Sequence, residues 1–179
     1  MESKCKKGLY LPVGDRDWIT GPDDYKITLV EYGDFECPQC AKAFPIVEEI
    51  REKFAKNLRF VWRHFPLKTI HENAENSALA AEAAGHQGKF WEMHSILFEN
   101  RLDLKLDDIL EYGEEIGLDI DKFTKDIKEK RYGDKVTEDF RTGVRSGVNG
   151  TPTFFINGQR YNGLFYEWDI TEAIKKAIK

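Results

Sequence analysis

The tetrad Cys37-Pro38-Gln39-Cys40 constrains this chain more than any other feature. A disulfide needs its two Cβ atoms about 3.5–4.5 Å apart, whereas residues three apart inside a regular helix sit roughly 5–6 Å apart. Cysteines at this spacing close onto one another readily only where the first stands at a helix N-cap, with a backbone not yet helical. Pro38 supports that arrangement, because proline is favoured at the first helical position. Upstream, Lys26 to Gly33 is β-rich and apolar on both faces, which reads as a buried central strand. Downstream, Cys40, Ala43, Phe44, Val47, Ile50 and Phe54 recur at helical spacing, giving a helix from Pro38 to about Phe54. Pro45 removes one backbone hydrogen bond inside that helix and is expected to kink it without ending it.

The rest of the chain frames this strand-to-helix turn. Residues 1–25 are rich in Gly, Pro and Asp and read as an extended lead-in. Leu58 to Phe65 is a second strand, so residues 26–70 form a βαβ unit with an expected right-handed crossover. Residues 71–148 change to helical patterns: Asn73 to His86, Lys89 to Asn100, Leu106 to Ile116, Ile120 to Lys130 and Asp134 to Ser146. Residues 149–179 return to strand. Thr153 to Ile156 and Gln159 to Tyr161 flank Asn157-Gly158, whose residue types suit the positive φ angles of a type I′ hairpin turn. A helix from about Trp168 to Ile178 follows. The pattern is one α/β domain, βαβ then ββα, split by a helical insertion.

Placement of the tetrad divides the labour between its thiols. At the N-cap, Cys37 lies beside unpaired backbone N–H groups and the positive end of the helix dipole, both of which stabilise a thiolate. Cys40 lies one turn further in on the apolar face, so burial should make it the less reactive, resolving thiol. Gln39 is neutral and adds no positive charge. Glu36 is negative and adjacent, which should limit the activation of Cys37. Glu31 is a carboxylate inside an apolar strand, six residues before Cys37. A buried acid has a raised pKa and can move protons for Cys40. Thr151-Pro152 opens the third strand, a position open to proline, where a cis bond would bend the loop towards the cysteines.

Three stretches together resemble the DsbA-like branch of the thioredoxin superfamily. They are Glu31-Tyr32-Gly33-Asp34-Phe35-Glu36-Cys37-Pro38-Gln39-Cys40, the downstream Pro45, and Gly147-Val148-Asn149-Gly150-Thr151-Pro152-Thr153-Phe154-Phe155-Ile156-Asn157-Gly158. The resemblance spans about Asp23 to the C-terminus. It implies a thioredoxin fold with an inserted helical domain, a catalytic Cys37, a resolving Cys40, a cis-Pro152 and a buried acid at Glu31. It further implies an enzyme that exchanges disulfides with protein or peptide thiols, with Thr151 and Pro152 pairing with an extended substrate backbone, and with a separate redox partner to recycle it. No cofactor and no metal are implied. Strongly oxidising members carry Pro-His between their cysteines; Pro38-Gln39 departs from that, and leaves open whether the chain acts as oxidase, reductase or isomerase.

Several other classes are set aside. The formal net charge of −5 argues against nucleic acid as the main partner, since phosphate binding needs a basic surface. No apolar run approaches the roughly 20 residues of a membrane span. A zinc site needs about four ligands, and neither a second CxxC nor a His pair accompanies the tetrad. His64, His71, His86 and His94 share no ligand spacing and read as surface or satisfied core residues. Phe90, Trp91, Met93 and Phe98 read as helical core. Cys5 reads as an exposed thiol without a role. Residues 1–7 carry charge with no apolar run behind them, so the expected compartment is the cytoplasm, with the periplasm or exterior as the alternative if an export signal has been removed. Two further functions stay in view. One is a redox-sensing or peptide-binding module with little turnover. The other is a glutathione-dependent transferase or isomerase on a related fold.

Overall fold

The computed structural model describes residues 8–178. Its elements run β1 (Trp18–Thr20), β2 (Ile27–Gly33), α1 (Pro38–Lys53), β3 (Leu58–His64), α2 (Ala74–Gly85), α3 (Phe90–Glu99), α4 (Leu106–Glu115), α5 (Ile120–Lys128), α6 (Gly133–Arg145), β4 (Thr153–Ile156), β5 (Gln159–Arg160) and α7 (Glu167–Ile178). The strands form one mixed sheet in the order β1-β3-β2-β4-β5. This is the α/β thioredoxin fold, with α2 to α6 as its helical insertion.

All seven residues of β2 are buried. The strand runs parallel to β3, from Ile27 opposite Leu58 to Gly33 opposite His64. On its other side it is antiparallel to β4, with Glu31 opposite Phe154. Its side chains alternate between two cores, as the pleat requires. Ile27 and Leu29 join Phe60, Trp62, Phe154, Ile156 and the inward face of α1 in the larger one. Val30 and Tyr32 join Val61, Phe65, Val148 and Phe155 in the smaller. Two glycines permit close approaches that a side chain would block. A Cβ on Gly33 would fall 2.1 Å from the Trp62 ring, and one on Gly143 of α6 would fall 2.8 Å from Phe65.

Helix α1 continues through Pro45, and buries Cys40, Ala43, Val47 and Ile50 against the sheet. The hairpin turn has φ of +48° at Asn157 and +78° at Gly158, the left-handed pair that a type I′ turn demands. The lead-in holds an element that local patterning does not reveal. Trp18–Thr20 pairs antiparallel with β3 as an edge strand. Three residues are too few for an alternating signal, so only the long-range pairing makes them a strand.

A buried ion pair fastens that lead-in to the sheet. Arg63 and Asp17 have side chains only 1% and 2% exposed. They meet through two bonds of 2.9 Å, Nε to Oδ1 and Nη2 to Oδ2. Arg63 also donates to the carbonyls of Leu11 and Pro12 and to the Tyr32 hydroxyl. Removing one partner of such a pair strands the other charge, at a cost of about 3–5 kcal/mol. Asp17→Ala should therefore lower unfolding stability by about 3 kcal/mol, the low end of that range, because Arg63 keeps its other acceptors. The joint change Asp17→Ala with Arg63→Met should recover part of the loss. Urea titration of the three proteins checks this.

Candidate active site

Cys37 caps α1 with an extended backbone, φ −68° and ψ 123°, and Pro38 opens the helix behind it. Its N–H donates to the Asp34 carbonyl at 3.2 Å. Its thiol lies 3.5 Å from the Thr151 carbonyl, which accepts from it. The loop that carries Thr151 therefore reaches the first cysteine, and the Thr151–Pro152 peptide is cis. Both cysteines are buried, while Pro38 and Gln39 are exposed. The hydrogen bond with Cys40 lowers the Cys37 pKa to about 5, against the cost of burial, with the Thr151 side chain and the backbone N–H groups of Cys40 and Gln39 adding to the effect. Burial pushes the Cys40 thiol the other way, well above the usual thiol range, and the neighbouring Cys37 and Glu31 reinforce it.

Glu31 is 3% exposed and alternates onto the same face of β2 as Ile27 and Leu29, towards α1. Burial raises its pKa to about 8, and the negative charges of Cys37 and Glu48 add to the rise. Three acids thus share a small volume under the start of α1, and near neutral pH Cys37 holds its charge while Glu31 and Cys40 keep their protons.

The turn from β2 into α1 is held by residues that sequence reasoning passed over. Asp34 is buried. Its Oδ1 accepts from the Glu36 N–H at 2.9 Å; its Oδ2 accepts from the Leu67 N–H at 2.8 Å and from His71 Nδ1 at 2.8 Å. Glu36 does not stand free beside the thiol, as its position in the chain implied. Its carboxylate accepts from the N–H and side-chain amide of Asn73, at 2.6 and 3.3 Å, in front of α2, where the helix dipole favours a negative group. Arg101 donates to the Glu36 carbonyl at 3.3 Å. The one local signal was Asp34 itself, a turn-forming residue between a strand and an N-cap.

On the opposite side, Arg160 donates to the Gly147 carbonyl and, at 3.3 Å, to Asn149, while the Thr153 hydroxyl donates to the Gly150 carbonyl at 2.7 Å. These bonds set the loop that ends at Pro152. A shallow cleft of about 230 Å³ adjoins it, lined among others by Pro152, Thr153, Arg160 and Tyr161.

The histidines fare variously. His64 lies with Glu82 and Asp139 so that one ligand atom from each falls within 4.8 Å of the others. That group is already satisfied: Trp62 donates to His64 Nδ1, Glu82 accepts from His64 Nε2 and Trp18, and Lys135 supplies Asp139 with a cation at 2.5 Å. His86 stacks on Tyr132. His94 is a correction, because it is buried among Trp62, Phe35 and Phe98 with no partner for its Nε2 among the described residues. Burial holds its pKa well below the usual histidine range. Phe90, Met93 and Phe98 are core, with Trp91 packed against it. Cys5 lies outside the described residues.

Comparison with known proteins agrees with this geometry. The profile of the thioredoxin family Thioredoxin_4, described as "Thioredoxin", matches residues 15–176. The solved structure of BdbD from Bacillus subtilis superposes with a TM-score of 0.83 at 21% identity, covering 91% of this chain and 93% of that one. A thioredoxin-like oxidoreductase from Silicibacter pomeroyi gives 0.82 at 24% identity, covering 98% of each chain. Likenesses of this degree show the fold. In sequence, the chain is 44% identical over 171 residues to the Na(+)/H(+) antiporter NhaA 1 of Salinispora arenicola, a match covering 95% of this chain and 26% of that protein.

The opposed pKa directions make a stability prediction. A lowered thiol pKa contributes stability that is full above the unfolded value of 9.0 and lost as pH falls through about 5. A raised carboxyl pKa contributes stability that is full below 4.5 and lost as pH rises through about 8. In the reduced protein the two slopes oppose each other over most of pH 5–8. Glu31→Gln removes the falling slope, so the stability of the reduced variant should climb by about 1.4 kcal/mol per pH unit over that span relative to the parent. Urea unfolding at a series of pH values measures it, and parallel curves would refute a buried, titrating Glu31.

Proposed function

We propose a reaction for this chain, which belongs to the DsbA-like branch of the thioredoxin family: it exchanges disulfides with protein or peptide substrates through a mixed disulfide on Cys37. One observation carries the reading. The first cysteine stands at a helix N-cap with its pKa lowered to about 5, and the second is buried one turn behind it. A thiolate is the attacking species, and this arrangement supplies one at neutral pH with its resolving partner in reach.

In the reducing direction the Cys37 thiolate attacks one sulfur of a substrate disulfide. The Cys37–sulfur bond forms as the substrate bond breaks, and the departing sulfur leaves as thiolate. Cys37 is then neutral. Its charge had helped to raise the Glu31 pKa, so Glu31 now gives up its own proton more readily, to water or to the departing substrate thiolate, and as a carboxylate takes the Cys40 proton. Cys40 attacks the Cys37 sulfur, the mixed disulfide breaks, and a Cys37–Cys40 disulfide remains. Two electrons have passed to the substrate. The reverse sequence oxidises a substrate dithiol, and a separate redox partner resets the couple. An extended substrate segment lies along Thr151 and Pro152, where the neighbouring cleft offers room beside the loop that meets Cys37.

A second reading is favoured by one observation. The antiporter relative carries the matching segment as about a quarter of its length. A domain joined to a transporter fits redox sensing with little turnover, and insulin reduction with a thiol recycling system separates the two readings. Multiple turnovers in the parent, abolished in Cys37→Ser, support the enzyme; a single turnover supports the sensor. Cys40→Ser should trap the mixed disulfide, seen as a mass adduct on Cys37. Glu31→Gln should leave the first attack intact and slow release of the adduct by about a hundredfold, the low end of general-base effects. An adduct on Cys40 would overturn the assignment.

A further inference from the structure

Cys37 owes its N-cap position to the three residues before it, and all three are gripped by the helical insertion and the segment leading into it. Asp34 ties the turn to itself through the Glu36 N–H and through its own carbonyl, which accepts from Cys37. The same carboxylate then reaches across to Leu67 and His71. Phe35 is 1% exposed and packs among aromatic rings, stacked on Trp62 at 4.9 Å and edge-on to His94 at 5.5 Å, with Phe98 at 5.1 Å. Glu36 holds Asn73 with its side chain and Arg101 with its carbonyl. Consecutive residues therefore carry a polar tie, an apolar plug and a second polar tie to the chain between β3 and α4. Such redundancy exceeds what a tight turn needs for its own hydrogen bonds.

We propose that Asp34 and His71 are positioning residues for the nucleophile: their bond locks the catalytic turn to the segment entering the insertion and so holds Cys37 in its N-cap geometry. The inference rests on the reading of Cys37 as nucleophile. Positioning and simple charge predict opposite results for Asp34. A carboxylate near a thiolate repels it, so by Coulomb's law its removal would lower the Cys37 pKa. If Asp34 works by holding the turn, its removal frees Cys37 from the N–H groups and from Cys40, and the pKa rises. The other charged groups near the turn are Glu31 below the thiol, Glu36, whose carboxylate is turned to Asn73, and Arg101 after α3, and the variants leave all three in place.

The test is the thiolate absorbance of the reduced protein as a function of pH, with the glutathione redox equilibrium as a second readout. Asp34→Ala should raise the Cys37 midpoint by about one pH unit, leaving about tenfold less thiolate below both midpoints, and should make the couple less oxidising. His71→Ala should move both in the same direction by less. His71→Asn replaces the Nδ1 donor without the imidazole, and should bring both back towards the parent. Folded Asp34→Ala with an unchanged or lowered midpoint would overturn the proposal. So would a His71→Asn protein that behaves as His71→Ala does, since that assigns the effect to the ring or its charge. Should Asp34→Ala not fold, the His71 pair decides alone: an unshifted midpoint in His71→Ala overturns the proposal. A parent midpoint near the ordinary thiol value would instead overturn the nucleophile reading, and is seen before any variant is made.

Discussion

The chemistry of this site depends on a single charge that three acids cannot all carry. Glu31, Cys37 and Cys40 lie under the first turn of α1, and burial penalises ionisation of each. In a medium that solvates charge poorly, the group with the most hydrogen-bond donors ionises first. Cys37 is that group, because it faces the unpaired N–H groups of the helix start and the thiol of Cys40. Once it is charged, its neighbours are held neutral by its field as well as by burial. The activation of one thiol and the suppression of the other are the same electrostatic fact. In the proposed reaction, a substrate that consumes the Cys37 charge releases the restraint on Glu31 at the moment when Cys40 must lose its proton.

That arrangement needs a carboxylate, a helix start and a loop end brought to one point, and the central strand does this. β2 is buried on both faces because α1 and α7 cover one, while Leu9 and Val13 of the lead-in, Val148 and the Thr142–Gly143 turn of α6 cover the other. Glu31 occupies one position on the α1 face, where an apolar side chain would fit the pattern of Ile27 and Leu29. The cost of burying an acid there is offset by keeping it protonated over most of the physiological range. β4 enters antiparallel beside β2, so its preceding loop ends above the C-terminal end of β2, where α1 begins. The Thr151 carbonyl reaches the Cys37 thiol from there.

What could be read in the chain beforehand was whatever a local pattern encodes. The N-cap role of Cys37 follows from Pro38 and the disulfide geometry. The hairpin follows from Asn157-Gly158, and the acid in the strand from one charged letter in an apolar run. The residues that stayed hidden act across distance in sequence. Arg63 and Asp17 stand 46 positions apart, and Asp34 and His71 stand 37 apart. Neither pair has any periodicity to betray it. Glu36 was misread for the same reason: adjacency in sequence put its charge beside the thiol, while the fold aims its carboxylate at Asn73. His94 sits on a helical apolar face, and nothing in its spacing distinguishes a satisfied ring from one with an unpartnered nitrogen.

The insertion is more than an appendage to the sheet. A typical helix inserted between two halves of a fold need only bury its own apolar face. Here α3 delivers His94 and Phe98 onto Phe35, within two residues of Cys37. The α2 N-terminus receives Glu36, and the segment before it supplies Leu67 and His71 to Asp34. The turn before Cys37 thus has one wall made by β2 and β3 and another made by the chain between β3 and α4. Because packed interiors transmit small displacements instead of absorbing them, repacking α3 beneath Phe35 must move the turn that sets Cys37. On the proposed reading, the redox poise of the couple is then a property of the joint between insertion and sheet as much as of the two residues between the cysteines.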